Sequence, residues 1–329
     1  MLEHVLNLGN QLKTDLETSE GFTSVDYEKI VIVGMGGSGV AGDVLKLILN
    51  QYTNIDVEVR KTYNLTKTQI AARPFCLFIS YSGNTEETIS AAKNAIDENL
   101  EWAAISSGGE LLDLATKHNK KFVKVPDGLQ PRAAFGLMTK AVINYLPNQT
   151  KKIFINACEE AGNYLNNLTE DASNEVFEIS KDIVNQIGSK TAVIYAGSDL
   201  TYLVAQRWKT QINENSKSKA YVGFMPEVHH NEILSWEADQ EGSKNNFILI
   251  LLRGDDYKKI DNRFEFTKEI IGSKVDTIDV RNISSDNLII DLFHLVLIGD
   301  LVSVNLADQL DIDPFNIDAI ENLKKKLKG

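Results

Sequence analysis

Twice along this chain a short apolar run ends in glycine and opens into a helical pattern, and that doubled signal restricts the fold more than any other feature. Ile30–Val33 runs into Gly34-Met35-Gly36-Gly37, and Lys190-Thr-Ala-Val-Ile-Tyr-Ala-Gly197-Ser198 lies over the same stretch. A short apolar run bounded by glycine reads as a strand buried on both faces. After the first run, Val40, Val44, Leu47 and Ile48 fall on one helical face. The correspondence continues downstream: Phe247–Leu252, ending at Arg253-Gly254, lies over Phe75–Ile79, ending at Ser80. Val275–Val280 then matches the Trp102–Ile105 run. This is an internal duplication of a unit of about 130 residues. Strands alternating with helices at this spacing predict an α/β fold of two tandem, doubly wound parallel-sheet subdomains with helical segments at both ends. The expected halves are residues 1–150 and 151–329, the second ending in a C-terminal helix. Their join should fall in the Asn- and Glu-rich helical stretch between about 150 and 185.

Charge narrows the choice of ligand. A formal net charge of −12 excludes nucleic acid as a partner, because a polyanion needs clustered Lys and Arg to displace its counterions. A small phosphorylated metabolite is also repelled at long range, so its site must be made locally from backbone N–H groups, hydroxyls and a few basic side chains. No run of about 18 apolar residues reads as a membrane span. The amphipathic, acidic start lacks the basic and apolar regions of a signal peptide. The two cysteines, Cys76 and Cys158, are too few for a disulfide framework, and Cys76 sits in an apolar run as a small hydrophobe. These features predict a cytoplasmic protein.

Two loops carry the candidate chemistry. Gly34, Gly36 and Gly39 satisfy the dinucleotide pattern G-x-G-x-x-G, and Glu58 follows about 20 residues on, where a ribose-binding acid would sit. The same backbone serves a monophosphate equally well, because it presents amides at a helix N-terminus. The second loop, Ser80-Tyr81-Ser82-Gly83-Asn84-Thr85-Glu86-Glu87, separates the two readings. Its hydroxyls and helix-start amides form an anion cradle without Lys, which a dinucleotide enzyme does not need at an adjacent strand end. Asn84 and Glu87 have the spacing of a capping box. Gly37, Ser38, Ser80, Ser82 and Thr85 are therefore the expected contacts to phosphate or nearby sugar hydroxyls.

The pair GMGGSGVAGD and SYSGNTEET on a duplicated α/β chain resembles the sugar isomerase domain family, whose Ser/Thr-rich loop holds the phosphate of a phosphosugar. Gln130-Pro131-Arg132-Ala133-Ala134-Phe135-Gly136, Glu214-Asn215-Ser216-Lys217 and Pro226-Glu227-Val228-His229-His230-Asn231-Glu232 narrow it further. They are similar to the bifunctional phosphoglucose/phosphomannose isomerases, and the resemblance runs from about Lys29 to the final helix. It implies reversible interconversion of glucose 6-phosphate and mannose 6-phosphate with fructose 6-phosphate through an enediol, without metal or nucleotide cofactor.

On residues alone Glu214 is one acid among 46, expected in a polar turn after a helix over Trp208–Ile212. The resemblance makes it the base that moves the proton between C1 and C2. Arg132, charged at every relevant pH, becomes the group that stabilises the enediolate oxygen. Of five histidines, His230 takes the matching position and is expected to serve ring opening, whereas His229 has no matching role. Glu227, His229, His230 and Glu232 can also be read as metal ligands, but adjacent histidines in one extended segment point apart, so no metal is expected. Lys324, in the terminal I-x-x-L-K helix, is the matching lysine that closes the site, with Lys325, Lys326 and Lys328 complementing the helix dipole. Phe315 stands where many relatives carry Thr, so the resemblance assigns no preference between the two aldoses. It also implies a homodimer in which His230 reaches the partner's site. A sugar-sensing regulator would need a helix-turn-helix, and a glucosamine-6-phosphate synthase a glutaminase with a nucleophilic Cys, ahead of the first repeat. Neither is expected here.

Overall fold

The computed structural model describes residues 1–22, 26–255 and 257–327. Lys328 lies outside them. In chain order the strands are β1 (Glu17–Thr18), β2 (Lys29–Gly34), β3 (Asp56–Arg60), β4 (Phe75–Ile79), β5 (Trp102–Ser106), β6 (Lys121–Lys124), β7 (Thr191–Ala196), β8 (Ala220–Phe224), β9 (Phe247–Arg253) and β10 (Asp276–Arg281). The chain divides into two compact units. The first comprises residues 6–167 with 287–290, and the second residues 1–5, 168–286 and 291–329. The boundary expected at 150 instead falls inside a continuous helix, Asn148–Glu170, because its apolar side runs unbroken through Phe154, Cys158, Ala161 and Leu165.

In the first unit the sheet order is β1-β6-β5-β4-β2-β3, parallel except for the antiparallel β1 edge. In the second unit the order is β10-β9-β7-β8, parallel throughout. The second sheet thus repeats the β5-β4-β2-β3 core of the first, strand for strand, as the sequence duplication predicts. In each, the chain leaves a central strand toward one side and returns on the other, which makes a topological switch point between β2 and β4 and another between β7 and β9. Open α/β sheets bind ligands in the crevice at the carboxyl ends of such strands.

Burial on both faces explains the continuous apolar runs. Every residue of β4 is buried, as are Ile30 to Val33 of β2. One face of the sheet packs Val31, Val33, Cys76, Phe78 and Trp102 against Ile89, Ala92 and Leu111 from the covering helices. Each fully buried aliphatic or aromatic side chain of this kind contributes about 1.5–3 kcal/mol of transfer free energy. Burial also pushes the thiols of Cys76 and Cys158 up to about 12, so both pack as small hydrophobes.

The apolar helix Leu288–Gln309 is long and apolar enough to cross a membrane, a signal missed by counting uninterrupted apolar residues, since Asp291, His294 and Asp300 interrupt it. It is 72% buried inside the protein over its most apolar window. In the second unit it is tied to the Asp199–Asn215 helix by a buried Arg207–Asp300 ion pair at 2.5 Å and by Trp208 Nε1 donating to the Leu295 carbonyl at 2.8 Å. These are the contacts of a core helix.

Candidate active site

At the β2/β4 switch point the two loops meet in register. Gly34 pairs with Ile79, so the glycine loop and the Ser80 loop leave the sheet at the same level. A Cβ on Gly39 would lie 2.7 Å from the Gly34 carbonyl oxygen, and Gly36 takes a positive φ of 51°. Glycine there lets the chain turn directly into the Gly36–Tyr52 helix. Buried Ser38 accepts the Tyr81 N–H at 3.1 Å and so joins one loop to the other. Ser80, fully buried, shares a hydrogen bond with Thr85 at 2.8 Å between hydroxyls. Exposed Ser82 accepts the Asn84 N–H at 3.3 Å. The sharp bend at Gly83, with φ of 69°, is possible only without a side chain, since a Cβ would lie 1.7 Å from the Gly108 carbonyl oxygen.

The expected capping box does not form. Thr85, not Asn84, precedes the Glu86–Asp97 helix, and its side chain makes no capping bond. Asn84 is drawn sideways instead, donating to the Ser82 carbonyl at 3.0 Å and accepting the Glu110 N–H at 3.1 Å. A tertiary bond to the first turn of the Gly109–Lys117 helix has displaced a local one, and the helix start is left to Thr85. Such a helix N-terminus attracts anions through its amides and dipole.

Arg132 is brought to the same edge of the sheet. It sits, 4% exposed, in a 3₁₀ turn over Pro131–Ala133. A Cβ on Gly37 would lie 3.2 Å from the Pro131 carbonyl oxygen, so this turn rests against the glycine loop. A dinucleotide pyrophosphate needs that same surface. The ribose acid that this alternative requires, Glu58, lies 3.6 Å from Arg60 in an ion pair on β3. Two residues that the sequence reading did not single out hold the Arg132 turn. Gln11 donates to the Ala133 carbonyl at 2.8 Å and accepts the Gly136 N–H at 3.0 Å, bridging a separation of more than 120 residues. Tyr81 donates to the Pro126 carbonyl at 2.9 Å and accepts the Leu129 N–H at 3.1 Å. The only local hint of Gln11 was an amide on the buried side of an amphipathic N-terminal helix.

Glu214, His230 and Lys324 belong to the second unit. Glu214 is not in a turn after Trp208–Ile212. The helix runs from Asp199 to Asn215, because buried Asn215 and Ser216 anchor its last turn, Asn215 donating to Ser303 Oγ at 2.9 Å. Half-buried Glu214 is therefore projected from a rigid helix end. It lines a cavity of about 440 Å³ with Lys217, Asn316, Ile317 and Ile320. Lys217 adopts φ of 56°, a left-handed conformation uncommon for a residue with a side chain. Its ammonium donates to the Glu214 carbonyl at 2.6 Å and to the Asp313 carbonyl at 3.2 Å, joining the helix end to the C-terminal segment. Lys324 is exposed on the Asp318–Leu327 helix, one turn beyond Ile320 of that cavity. Phe315 is 43% exposed, its ring edge-on to His4 at 6.3 Å.

The adjacent histidines lie in a 3₁₀ turn over Glu227–His230, not in an extended segment, and they do point apart. His230 is exposed, whereas His229 turns in to Thr267 and Arg263. Burial, then the Arg263 charge, pulls the His229 pKa down. Burial, then Glu227, pushes that of Glu232 up. Among the described residues no group of His, Cys, Asp and Glu has the arrangement of a metal site.

The fold and the hydroxyl-lined switch point define a protein with two sugar isomerase (SIS) domains. Residues 25–121 match the SIS domain family, and residues 178–327 match the bacterial phospho-glucose isomerase C-terminal SIS domain. Curated relatives extend this over the whole chain. A bifunctional phosphoglucose/phosphomannose isomerase from Caldicellulosiruptor bescii is 33% identical, covering 99% of this chain and 98% of its own. One from Thermoplasma acidophilum is 35% identical, covering 98% of each. A D-glucosamine-6-phosphate 4-epimerase from Sulfolobus acidocaldarius is 31% identical, covering 91% of this chain and 89% of its own. The chain belongs to the bifunctional phosphoglucose/phosphomannose isomerase family, and it is an isomerase. The fold is shared with the C-terminal domain of glucosamine-fructose-6-phosphate aminotransferase from Francisella tularensis at TM-score 0.69 and 15% identity, covering 95% of this chain and 96% of that one.

Proposed function

We propose that the chain interconverts glucose 6-phosphate and mannose 6-phosphate with fructose 6-phosphate through one enediol, without metal or nucleotide. The observation that carries this reading is the anion cradle at the β2/β4 switch point, with Arg132 buried against the glycine loop, in a chain of this family. Gly37, Ser38, Ser80, Ser82 and Thr85 hold the phosphate or adjacent sugar hydroxyls. Glu214 takes the C2 proton and returns it to C1, while the C1 aldehyde oxygen gains a proton and the C2 hydroxyl loses one, so no external oxidant is required. Arg132 stabilises the negative oxygen of the enediolate. His230 and Lys324 serve ring opening, in which the ring oxygen gains a proton and O1 loses one. Removing the C2 proton erases the only difference between the two aldoses, so one base serves both. The phosphosugar substrate class supports a cytoplasmic location.

A coupled assay of fructose 6-phosphate from each aldose tests this, with activity expected from both and unchanged after exhaustive EDTA dialysis. Formation from neither overturns the reading, and loss in EDTA with recovery in zinc moves Glu227, His229 and His230 to a metal site. The 31%-identical epimerase favours a second reading, C4 epimerisation of glucosamine 6-phosphate, which proton NMR of that sugar would detect.

The finer reading is a homodimer in which His230 completes the partner's site. Mixing Glu214→Gln and His230→Ala chains should then restore about a quarter of the sites, since random pairing in a two-fold dimer gives one site in four both intact residues. No recovery after verified subunit exchange places His230 in its own chain's site.

A further inference from the structure

The family resemblance gives His229 no role, yet its ring has a complete set of partners. Nε2 lies 2.8 Å from Thr267 Oγ1, and Nδ1 lies 3.0 Å from an Arg263 guanidinium nitrogen. The directions of these bonds follow from donor inventory. Guanidinium only donates, so Nδ1 accepts. The Thr267 hydroxyl donates its own proton to the Arg263 carbonyl at 2.7 Å, so it accepts from His229 Nε2–H. His229 is therefore neutral and in one tautomer, and a proton on Nδ1 would face a cation. Burial and the Arg263 charge, which pull its pKa down, act in the same sense. Thr267 is fully buried on the Lys258–Ile271 helix, so the anchor point is rigid.

The turn beside it needs such an anchor. Glu227–His230 is a single 3₁₀ turn between β8 and a second short 3₁₀ helix, Glu232–Trp236. Val228 fixes its apolar side by packing among Tyr195, Met225 and Trp236 in the core. On the polar side, Asn231 donates to Glu227 at 2.9 Å, a bond within the loop that does not tie it to the helix. His229 ties it to the helix, and His230 is the next residue.

We propose that His229 is a positioning residue: bridging Arg263 and Thr267 as the Nε2–H tautomer, it fixes the Glu227–His230 turn on the Lys258–Ile271 helix and sets where His230 is presented. The proposal rests on the assignment of His230 to ring opening. A group held loosely loses catalytic power without losing substrate affinity, and a misplacement of about 1 Å can lower rates by about 100-fold.

The test uses the full chain and four variants assayed with both aldoses. His229→Ala should lower kcat about 10- to 100-fold with little change in KM. His229→Gln should recover most of the rate, because its carboxamide oxygen accepts from Arg263 while its NH₂ donates to Thr267. Thr267→Val, nearly isosteric, removes the Nε2 partner together with its own bond to the Arg263 carbonyl but leaves the Nδ1 end, and should fall between them, which keeps the idea testable if His229→Ala does not fold. Amide hydrogen exchange over residues 226–233 should quicken in His229→Ala and Thr267→Val but not in His229→Gln. Wild-type kcat in folded His229→Ala, or a Gln variant as slow as the Ala variant, overturns the proposal. Wild-type turnover in His230→Ala removes His230 from the chemistry and overturns the proposal at its foundation. That failure is separable, because exchange over residues 226–233 reads the anchoring independently of turnover.

Discussion

The two sheets share one topology and therefore two switch points, but the ends of β4 and β9 carry different side chains, differently engaged. After β4 come Ser80, Ser82 and Thr85 with helix-start amides, followed by Glu86 and Glu87 in the first helical turn. β9 itself ends at Arg253, its side chain 1% exposed and already paired with Asp261, Glu265 and Asp279. Its guanidinium also stacks 5.0 Å from the Phe264 ring. Lys268 and Arg281 pair with the same carboxylates, so the cluster balances its own charges and the buried Arg253 guanidinium is committed within it. The corresponding glycine loops diverge too. Ser198 and Thr201 close a capping box on their own helix, consuming the hydroxyls that would face a ligand. Topology makes a crevice at each switch point, but which side chains fill it decides whether an anion can enter. On the proposed reading, one copy of the duplicated fold binds the phosphate, while the second contributes Glu214, His230 and Lys324.

That division of labour is most exposed to the base. Glu214→Gln preserves shape but cannot accept a proton, so kcat should fall about 10²–10⁴-fold for both aldoses while KM changes little. Stopped-flow or coupled kinetics would read it. A loss confined to one aldose means two separate bases and breaks the shared enediol.

Next in size is the cradle. Ser82→Ala with Thr85→Ala removes two hydroxyl donors to a charged group, each such bond contributing about 1.5–3 kcal/mol, so KM should rise at least about tenfold with a smaller change in kcat. An unchanged KM in the folded double variant would transfer phosphate binding away from the β2/β4 end.

Arg253→Met sharpens the contrast from the other side. It removes the buried cation shared by Asp261, Glu265 and Asp279, leaving them to Lys268 and Arg281, and unfolding free energy should drop by about 1–3 kcal/mol in urea melts. The aldose KM should stay where it was, since the proposed phosphate site lies at the β2/β4 end. A raised KM would show that the second switch point binds substrate after all.

The smallest effect is one of pH. Hydrogen bonds from Arg253 and then Lys268 hold the Glu265 carboxyl below its usual range. A depressed folded pKa contributes stability that is present above the unfolded value and lost as pH falls through the folded one. Wild-type stability should therefore decline below about pH 4.5, and Arg253→Met should show a shallower decline over that window. Parallel acid-melting curves for the two proteins would remove Glu265 from the account.

Strand ends and loops were legible because their signals are local. Runs such as Phe75–Ile79 and Phe247–Leu252 declare strands buried on both faces, and Ser80 to Thr85 follow such a run directly. Side-chain partners across the chain were not legible. The spacing of Asn84 and Glu87 satisfies a capping box, yet Asn84 bonds to Glu110 at the start of the Gly109–Lys117 helix. The end of the Glu214 helix was set by Asn215 reaching Ser303, 88 residues away.

Periodicity and punctuation by themselves determined the duplicated α/β architecture, the helical ends and the hydroxyl-rich loop after β4, because burial on both faces and tight turns leave their marks on neighbouring residues. Only the tertiary structure decided that Arg253 is neutralised, that Gln11 braces the Arg132 turn and that His229 anchors His230. Each of these depends on groups brought together across long stretches of chain, where no local pattern records the partner.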